Sequence, residues 1–203
     1  MTADRIARLE ITLDDVKPQV LRRIEVPLTI RLDRLHEVLQ AALGWTNSHL
    51  YELRAQDVGW GIPDLDFGDG RLDARKARLI DVLEDLGIKT LRYLYDFGDG
   101  WEHRLTVIDV RAGQPGVSYP RYIGGERNGP PEDCGGIPGF YELLEAITDP
   151  THPSHAHLKE WAGDYDPITL DALPIKYALG RIANRRNAAK ARLAKKKHFG
   201  SAA

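Results

Sequence analysis

Asp96, Asp99, Glu102 and His103 fall within one short stretch of the chain, and carboxylates with an imidazole are the ligand types of a hard or borderline divalent metal. A metal held there could polarise a substrate and generate a hydrolytic nucleophile. The spacing argues against convergence. On a strand, alternate residues share a face, so His103 points with Trp101 while Asp96 and Glu102 fall on the other face or in the turn. The reading is therefore structural, with Asp99 in a turn, Glu102 in solvent and no metal. Glu126, Arg127, Glu132 and Asp133 flank Pro130-Pro131. Charges on a proline-stiffened loop either present a binding surface or pin the loop to the body by ion pairs. Asp149, His152, His155 and His157 also resemble a ligand set, but His157 points away from the other two histidines on a helix opened by Pro153, which makes them surface residues. His36 and His49 read as half-buried, hydrogen-bonded side chains.

These groups must be positioned by recognisable elements. Arg5 to Leu13 reads as a strand with Leu9, Ile11 and Leu13 on one face, and Val20 to Val26 as a second that stops at Pro27. Leu32, Leu35, Leu39, Ala42 and Leu43 recur at helical spacing, with Gly44 as a left-handed cap. Ser48 to Ala55 returns to strand, Gly59 to Gly70 is an acidic glycine-rich loop, and a short helix Leu79 to Leu86 ends at Gly87. The clearest unit is a hairpin of Thr90 to Phe97 and Trp101 to Val110, with a tight turn at Asp99-Gly100. Tyr93, Tyr95 and Phe97 line one face of the first strand; Trp101, His103, Leu105 and Val107 line one face of the second. Arg111 to Ile137 lacks periodicity and reads as a long loop, expected to be ordered over the hairpin with its charges near Trp101 and His103. Helices follow at Pro138 to Ile147, Pro153 to Trp161, and from Ile175 into the tail. The order fits an α+β fold, a mostly antiparallel sheet packed by several helices with a basic C-terminal helix.

The 203 residues suffice for one domain without disulfides, and the single Cys134 excludes both an internal disulfide and a multi-thiolate zinc site. Early charges at Asp4, Arg5 and Arg8 rule out a signal peptide, and no apolar run approaches a membrane span, so the cytoplasm is the expected location and no membrane partner is expected. All 30 acidic residues precede position 181 against 20 of the 28 basic ones, which leaves a body of −10 and a tail of +8. The tail residues Arg181, Arg185, Arg186, Lys190, Arg192, Lys195, Lys196 and Lys197 are candidate nucleic-acid contacts, or else lie against the acidic body. The expected division is a domain over 1–180 and a basic helical tail over 181–203. Asp-Phe-Gly-Asp-Gly occurs at Asp66 to Gly70 and again at Asp96 to Gly100. No phosphate loop or His-Arg-Asp catalytic loop accompanies it, so kinase chemistry is rejected.

Several of these segments, taken in order, are familiar. Leu9 to Leu13 with Lys17-Pro18, Leu21 to Pro27, Leu35 to Gln40, Gly44-Trp45-Thr46-Asn47-Ser48-His49-Leu50-Tyr51, Tyr95 to His103, Gly125 to Gly136, Asp149-Pro150, His152-Pro153, Trp161 and Asp164-Tyr165-Asp166-Pro167 together resemble the plasmid pRiA4b Orf-3-like family. The resemblance covers nearly residues 5 to 180 and implies a compact α+β domain without an assigned activity. Relatives often carry a cysteine before the Pro-Pro pair, where this chain has Gly129, so a thiol role there does not carry over. Some relatives bear a resolvase label, but the serines here are Ser48, Ser118, Ser154 and Ser201, and none sits in an arginine-rich catalytic core.

The function expected from these observations is a non-catalytic binding or adaptor domain with a groove formed by the 95–103 hairpin and the 124–136 loop. Its candidate binding residues are Tyr95, Asp96, Asp99, Trp101, Glu102, His103, Glu126, Arg127, Glu132 and Asp133, with a protein or peptide partner and no cofactor. The alternatives are a metal-dependent hydrolase using His103 with Asp96, Glu102, Glu126 or Asp133, and a nucleic-acid-associated protein acting through its tail.

Overall fold

A computed structural model describes residues 4–63 and 70–200, with side chains up to residue 195. Lys196 and Lys197 therefore lie outside the described side chains, and the first Asp-Phe-Gly-Asp-Gly copy lies outside the described residues up to Gly70.

Eight strands form one sheet: β1 (Arg5–Leu13), β2 (Leu21–Pro27), β3 (Tyr51–Ala55), β4 (Val58–Gly61), β5 (Leu72–Asp73), β6 (Thr90–Tyr95), β7 (Trp101–Ala112) and β8 (Arg121–Glu126). Their spatial order is β5-β4-β3-β6-β7-β1-β2-β8, antiparallel except for the short β4/β5 pair. The helices are α1 (Leu32–Leu43), α2 (Leu79–Leu86), α3 (Gly136–Thr148), α4 (His155–Ala162) and α5 (Ala172–Gly200). This is an α+β fold with a mostly antiparallel sheet and a C-terminal helix.

Alternation gives the sheet two unlike faces. Leu9, Ile11 and Leu13 of β1, Leu91, Tyr93 and Tyr95 of β6, and Trp101, His103, Leu105 and Val107 of β7 are buried in one core with Leu32, Leu35, Val38, Leu39 and Leu43 of α1. The helix follows from its apolar stripe, and Gly44 stops it at φ 84°, its amide donating to Gln40. On the opposite face Arg92 and Arg104 pair with Asp14 across strand ends, and Glu102 is exposed beside Arg92.

Three expectations need correction. Gly59 to Gly61, read as the start of a loop, belong to β4 paired to β3, and β8 lies inside the segment read as a long loop, paired to β2. Both are short and glycine-bearing, too short for a local period to mark them; β8 is also an edge strand whose partner β2 lies far away in sequence. The hairpin turn is also longer than two residues. Tyr95 pairs with Trp101, and five residues bridge them, closed by the Gly100 amide on the Asp96 carbonyl at 2.7 Å. The left-handed residues are Asp96 at φ 56° and Gly100 at φ 71°, while Phe97 leaves the core face and lies exposed under the Arg71 guanidinium. Gly100 has open space around it, so only its backbone angle resists substitution. Gly100→Val should therefore lower stability by about 1 kcal/mol or more, and an unchanged urea midpoint would contradict this.

α5 runs without a break through position 181, with Leu179 and Ala183 buried against the body. Among the described residues no helix is long and apolar enough to cross a membrane.

Candidate functional site

The core beneath α1 is aromatic and polar at once. His36 stacks on Tyr51 with ring centroids 3.5 Å apart, and Trp45 stacks on Tyr95 at 4.9 Å. Four residues close a hydrogen-bonded ring, its last link made by the Asn47 backbone amide. Gln40 Nε2 donates to the Tyr93 hydroxyl at 2.8 Å, which faces His36 Nδ1 at 2.9 Å; His36 Nε2 faces Asn47 Oδ1 at 2.5 Å; the Asn47 amide donates to Gln40 Oε1 at 2.9 Å. Burial lowers His36 to a pKa of about 4, so its imidazole is neutral near pH 7. The ring then fixes the tautomer: Nε2–H donates to Asn47, and Nδ1 accepts from Tyr93. Every member is satisfied, which holds the 45–49 segment in one conformation.

That segment carries the site. Tyr95 donates to Glu132 Oε1 at 2.5 Å and accepts from the amides of Ser48 at 3.0 Å and His49 at 3.3 Å. Glu132 Oε2 accepts from the Thr46 amide and hydroxyl at 2.9 and 2.6 Å, and Trp45 Nε1 donates to the Pro130 carbonyl at 2.9 Å. Burial pushes Glu132 up, but its bonds from Thr46 and Tyr95 outweigh that and hold the carboxyl below its ordinary range. The Pro-Pro loop is thus ordered against the hairpin. Its charges meet Tyr95 and Thr46, not Trp101 and His103, because the Trp45 ring lies between, 5.2 Å from His103 and 6.2 Å from Trp101 by centroid. At the turn, a Cβ on Gly136 would stand 2.6 Å from the Asp99 carbonyl oxygen, so the loop closes directly on the hairpin there.

The hydrolytic set named as an alternative does not assemble around His103. That side chain is fully buried, its Nδ1 near the carbonyls of Trp101 at 3.1 Å and Tyr93 at 3.3 Å, and burial lowers its pKa to about 4. Glu102 is on the opposite face, as parity requires, and Asp99 and Glu126 do not reach it. The histidine that meets carboxylates is His49. Its Nε2 is 3.0 Å from Asp133 Oδ1 and 3.6 Å from Asp96 Oδ2, and one ligand atom from each of the three lies within 4.8 Å of the others. Asp96 is oriented by its other oxygen, which accepts from the amides of Gly98 at 3.0 Å and Asp99 at 3.4 Å. His49, read as an ordinary hydrogen-bonded residue, was missed because Asn47 to His49 has no periodic pattern and its partners are distant in sequence.

Beside His49 the surface opens into a hollow of about 420 Å³ between α1 and β3–β4, lined by Asp33, His36, Asn47, Tyr51, Asp73 and Arg75 among others. Arg31 bonds Asp33 at 2.7 and 2.9 Å, Arg75 bonds Asp73 at 2.9 Å, and Arg34 pairs with Glu37. Burial, then the charges of Asp33, Asp73 and Glu37, raise the Tyr51 hydroxyl to about 12.

Other candidates have structural roles. Arg127 and Glu126 offer their carbonyls to Arg22 at 2.7 and 3.1 Å. Burial, then the charges of Asp99 and Asp133, push the Cys134 thiol up to about 12, which leaves it inert. His155 Nδ1 sits 2.6 Å from the Ala146 carbonyl, and His152 Nδ1 accepts from the Ser154 amide at 3.1 Å, so the 149–157 group does not converge. In the tail, Arg186 and Lys190 pair with Asp4 and Arg185 with Glu37, while Arg181, Arg192 and Lys195 are exposed.

Comparison with known proteins gives a consistent picture. The chain is 49% identical over 180 residues to the uncharacterized protein y4hQ of Sinorhizobium fredii (strain NBRC 101917 / NGR234), covering 88% of this chain and 92% of that one. Its fold is similar to the crystal structure of MM3350, a protein of unknown function from Methanosarcina mazei Go1, with a TM-score of 0.75 and 31% identity over 84% of this chain and 97% of that chain. Neither relative carries an assigned activity. The profile of the plasmid pRiA4b ORF-3-like protein family matches residues 5–173, and the chain belongs to that family.

Proposed function

We propose that the protein is a non-catalytic binding module that takes a basic side chain of a peptide partner into the hollow beside His49. This hollow is not the groove expected between the hairpin and the Pro-Pro loop: no residue of 95–103 or 124–136 lines it, and those segments reach its rim only through the contacts of Asp96 and Asp133 with His49. The observation that carries this reading is the arrangement of charge around the stacked His36–Tyr51 floor. The carboxylates sit deeper than their partners: the Asp33 and Asp73 side chains are 18% and 12% exposed, against 43% for Arg31 and 68% for Arg75. The charges of Asp33, Asp73 and Glu37 add to burial in raising the Tyr51 hydroxyl at the floor. An entering guanidinium or ammonium finds inward acceptors and an aromatic face, the combination that recognises cations. Leu50, Ile62 and Phe97 are exposed nearby in sequence to β3, β4 and the turn, and supply apolar area for the flanking peptide.

The test is a titration followed by amide NMR with N-acetyl-arginine amide, N-acetyl-lysine amide and N-acetyl-glutamate amide. A lone side chain should bind with a millimolar Kd, about 4 kcal/mol, moving the amides of Asn47, Tyr51 and Gly61 for the basic probes only. Equal response to the glutamate probe, or no localised response, would overturn the reading.

A further inference from the structure

The geometry points to a divalent-metal site formed by His49, Asp96 and Asp133, which goes beyond the peptide-binding reading and does not depend on it. Three independent features carry it. First, the ligand atoms are spaced for a shared ion. Two ligands bound at about 2.1 Å and subtending an angle between octahedral and tetrahedral stand roughly 3.0–3.4 Å apart; His49 Nε2 lies 3.0 Å from Asp133 Oδ1, inside that range, and 3.6 Å from Asp96 Oδ2, just beyond it, so a small side-chain shift closes the set on an ion.

Second, the imidazole nitrogen is otherwise unused. His49 Nε2 is buried and makes no well-directed hydrogen bond, although Asp133 is near, because the carboxylate lies out of line for one. The nitrogen thus sits beside two carboxylates without a directed hydrogen bond to either. A metal ion satisfies all three at once.

Third, the groups are held in place before any ion arrives. Asp96 is fixed through Oδ1 by two turn amides, which leaves Oδ2 for the site. The residue before Ser48-His49, Asn47, and both aspartates have positive φ, at 63°, 56° and 60°. Asn and Asp tolerate this region better than other residues, but three such residues around one cluster concentrate backbone strain there. Asn47 is locked by His36 and Gln40, and the His49 amide by the Tyr95 hydroxyl.

One imidazole with two carboxylates suits zinc, manganese, iron or cobalt in the divalent state better than calcium or magnesium, which favour oxygen alone. Asp133 is largely exposed, so the remaining coordination positions would face solvent and could take water or a ligand group from the neighbouring hollow.

The experiment uses the full chain, stripped by chelator and titrated with Zn²⁺ by calorimetry and with Co²⁺ by visible absorbance. The expected result is one equivalent bound, a rise in Tm with saturating Zn²⁺, and a Co²⁺ spectrum that changes on binding. Asp133→Asn and His49→Gln, both at partly or largely exposed side chains, should weaken Zn²⁺ by tenfold or more while circular dichroism stays unchanged. Absence of binding at millimolar Zn²⁺ overturns the proposal, as does binding that neither variant weakens. Peptide-probe NMR on the Asp133→Asn protein separates the two readings, since Asp133 does not line the hollow.

Discussion

Replacing Arg22 with methionine should destabilise the protein by about 3–5 kcal/mol, the largest effect expected of any single substitution considered. Arg22 is 1% exposed, and among the described residues its guanidinium meets no carboxylate. Nε donates to the Ala42 carbonyl at 2.8 Å, and one terminal nitrogen serves the carbonyls of Leu21, Glu126 and Arg127 at 2.8, 3.1 and 2.7 Å. Ala42 is in the last turn of α1, where carbonyls lack intrahelical partners and the helix dipole favours a cation. A single side chain thus caps a helix, ties β2 to the end of β8, and sets the entry to the Pro-Pro loop. Methionine keeps the stem's volume but leaves these buried acceptors without the charge. Lysine should recover part of the loss, because a point ammonium cannot span the same fork. Urea denaturation of both variants measures the ranking, and a loss below about 1 kcal/mol for methionine would be inconsistent with the buried fork.

Glu25→Ala should cost about 2–3 kcal/mol. The Glu25 side chain is fully buried, and it holds Arg8 at 2.8 Å, Arg121 at 2.6 Å and Arg111. Alanine would leave three guanidiniums crowded without a counter-charge. Each is about one third exposed, so solvent screens part of the repulsion and keeps the cost below the ceiling for a fully buried pair. Burial alone would raise the Glu25 pKa, but hydrogen bonds from Arg8 and Arg121 and the charges of Arg121 and Arg111 more than offset it, so the folded value lies below the ordinary one. The unfolded chain therefore takes up the proton first as pH falls. The stabilisation is complete above the ordinary glutamate pKa of about 4.3 and is lost as pH drops through the folded value. The wild type should lose stability more steeply than Glu25→Ala below that pH, and parallel curves would contradict the assignment.

What the sequence discloses here follows physical range. Gly44 and Gly87 end α1 and α2 where they were placed, because a left-handed cap is a local event. The inward faces of β1 and β7 follow from alternation alone. β8 did not, since Arg121 to Glu126 holds two glycines, follows Pro120, and gains strand character only from β2 a hundred residues earlier. Within the site, Asp96 and Asp133 were recognisable by type, but the imidazole between them was assigned to His103 because of sequence proximity. Arg22 left one signal: it shares parity with Ile24 and Val26, both buried, so an inward arginine was readable from β2.

The central place of β1 has a consequence for how the chain is made. It leaves the ribosome well before β7, and β2, which follows it directly, can pair along one edge at once. Its other edge waits for β7, whose His103 pairs with Leu13 and whose Ala112 pairs with Arg5. At translation rates of about 5–20 residues per second, that edge stays open for on the order of 5–20 s. During that interval Leu9, Ile11 and Leu13 form an unpaired apolar ribbon, the kind of surface to which holding chaperones bind and along which nascent chains aggregate.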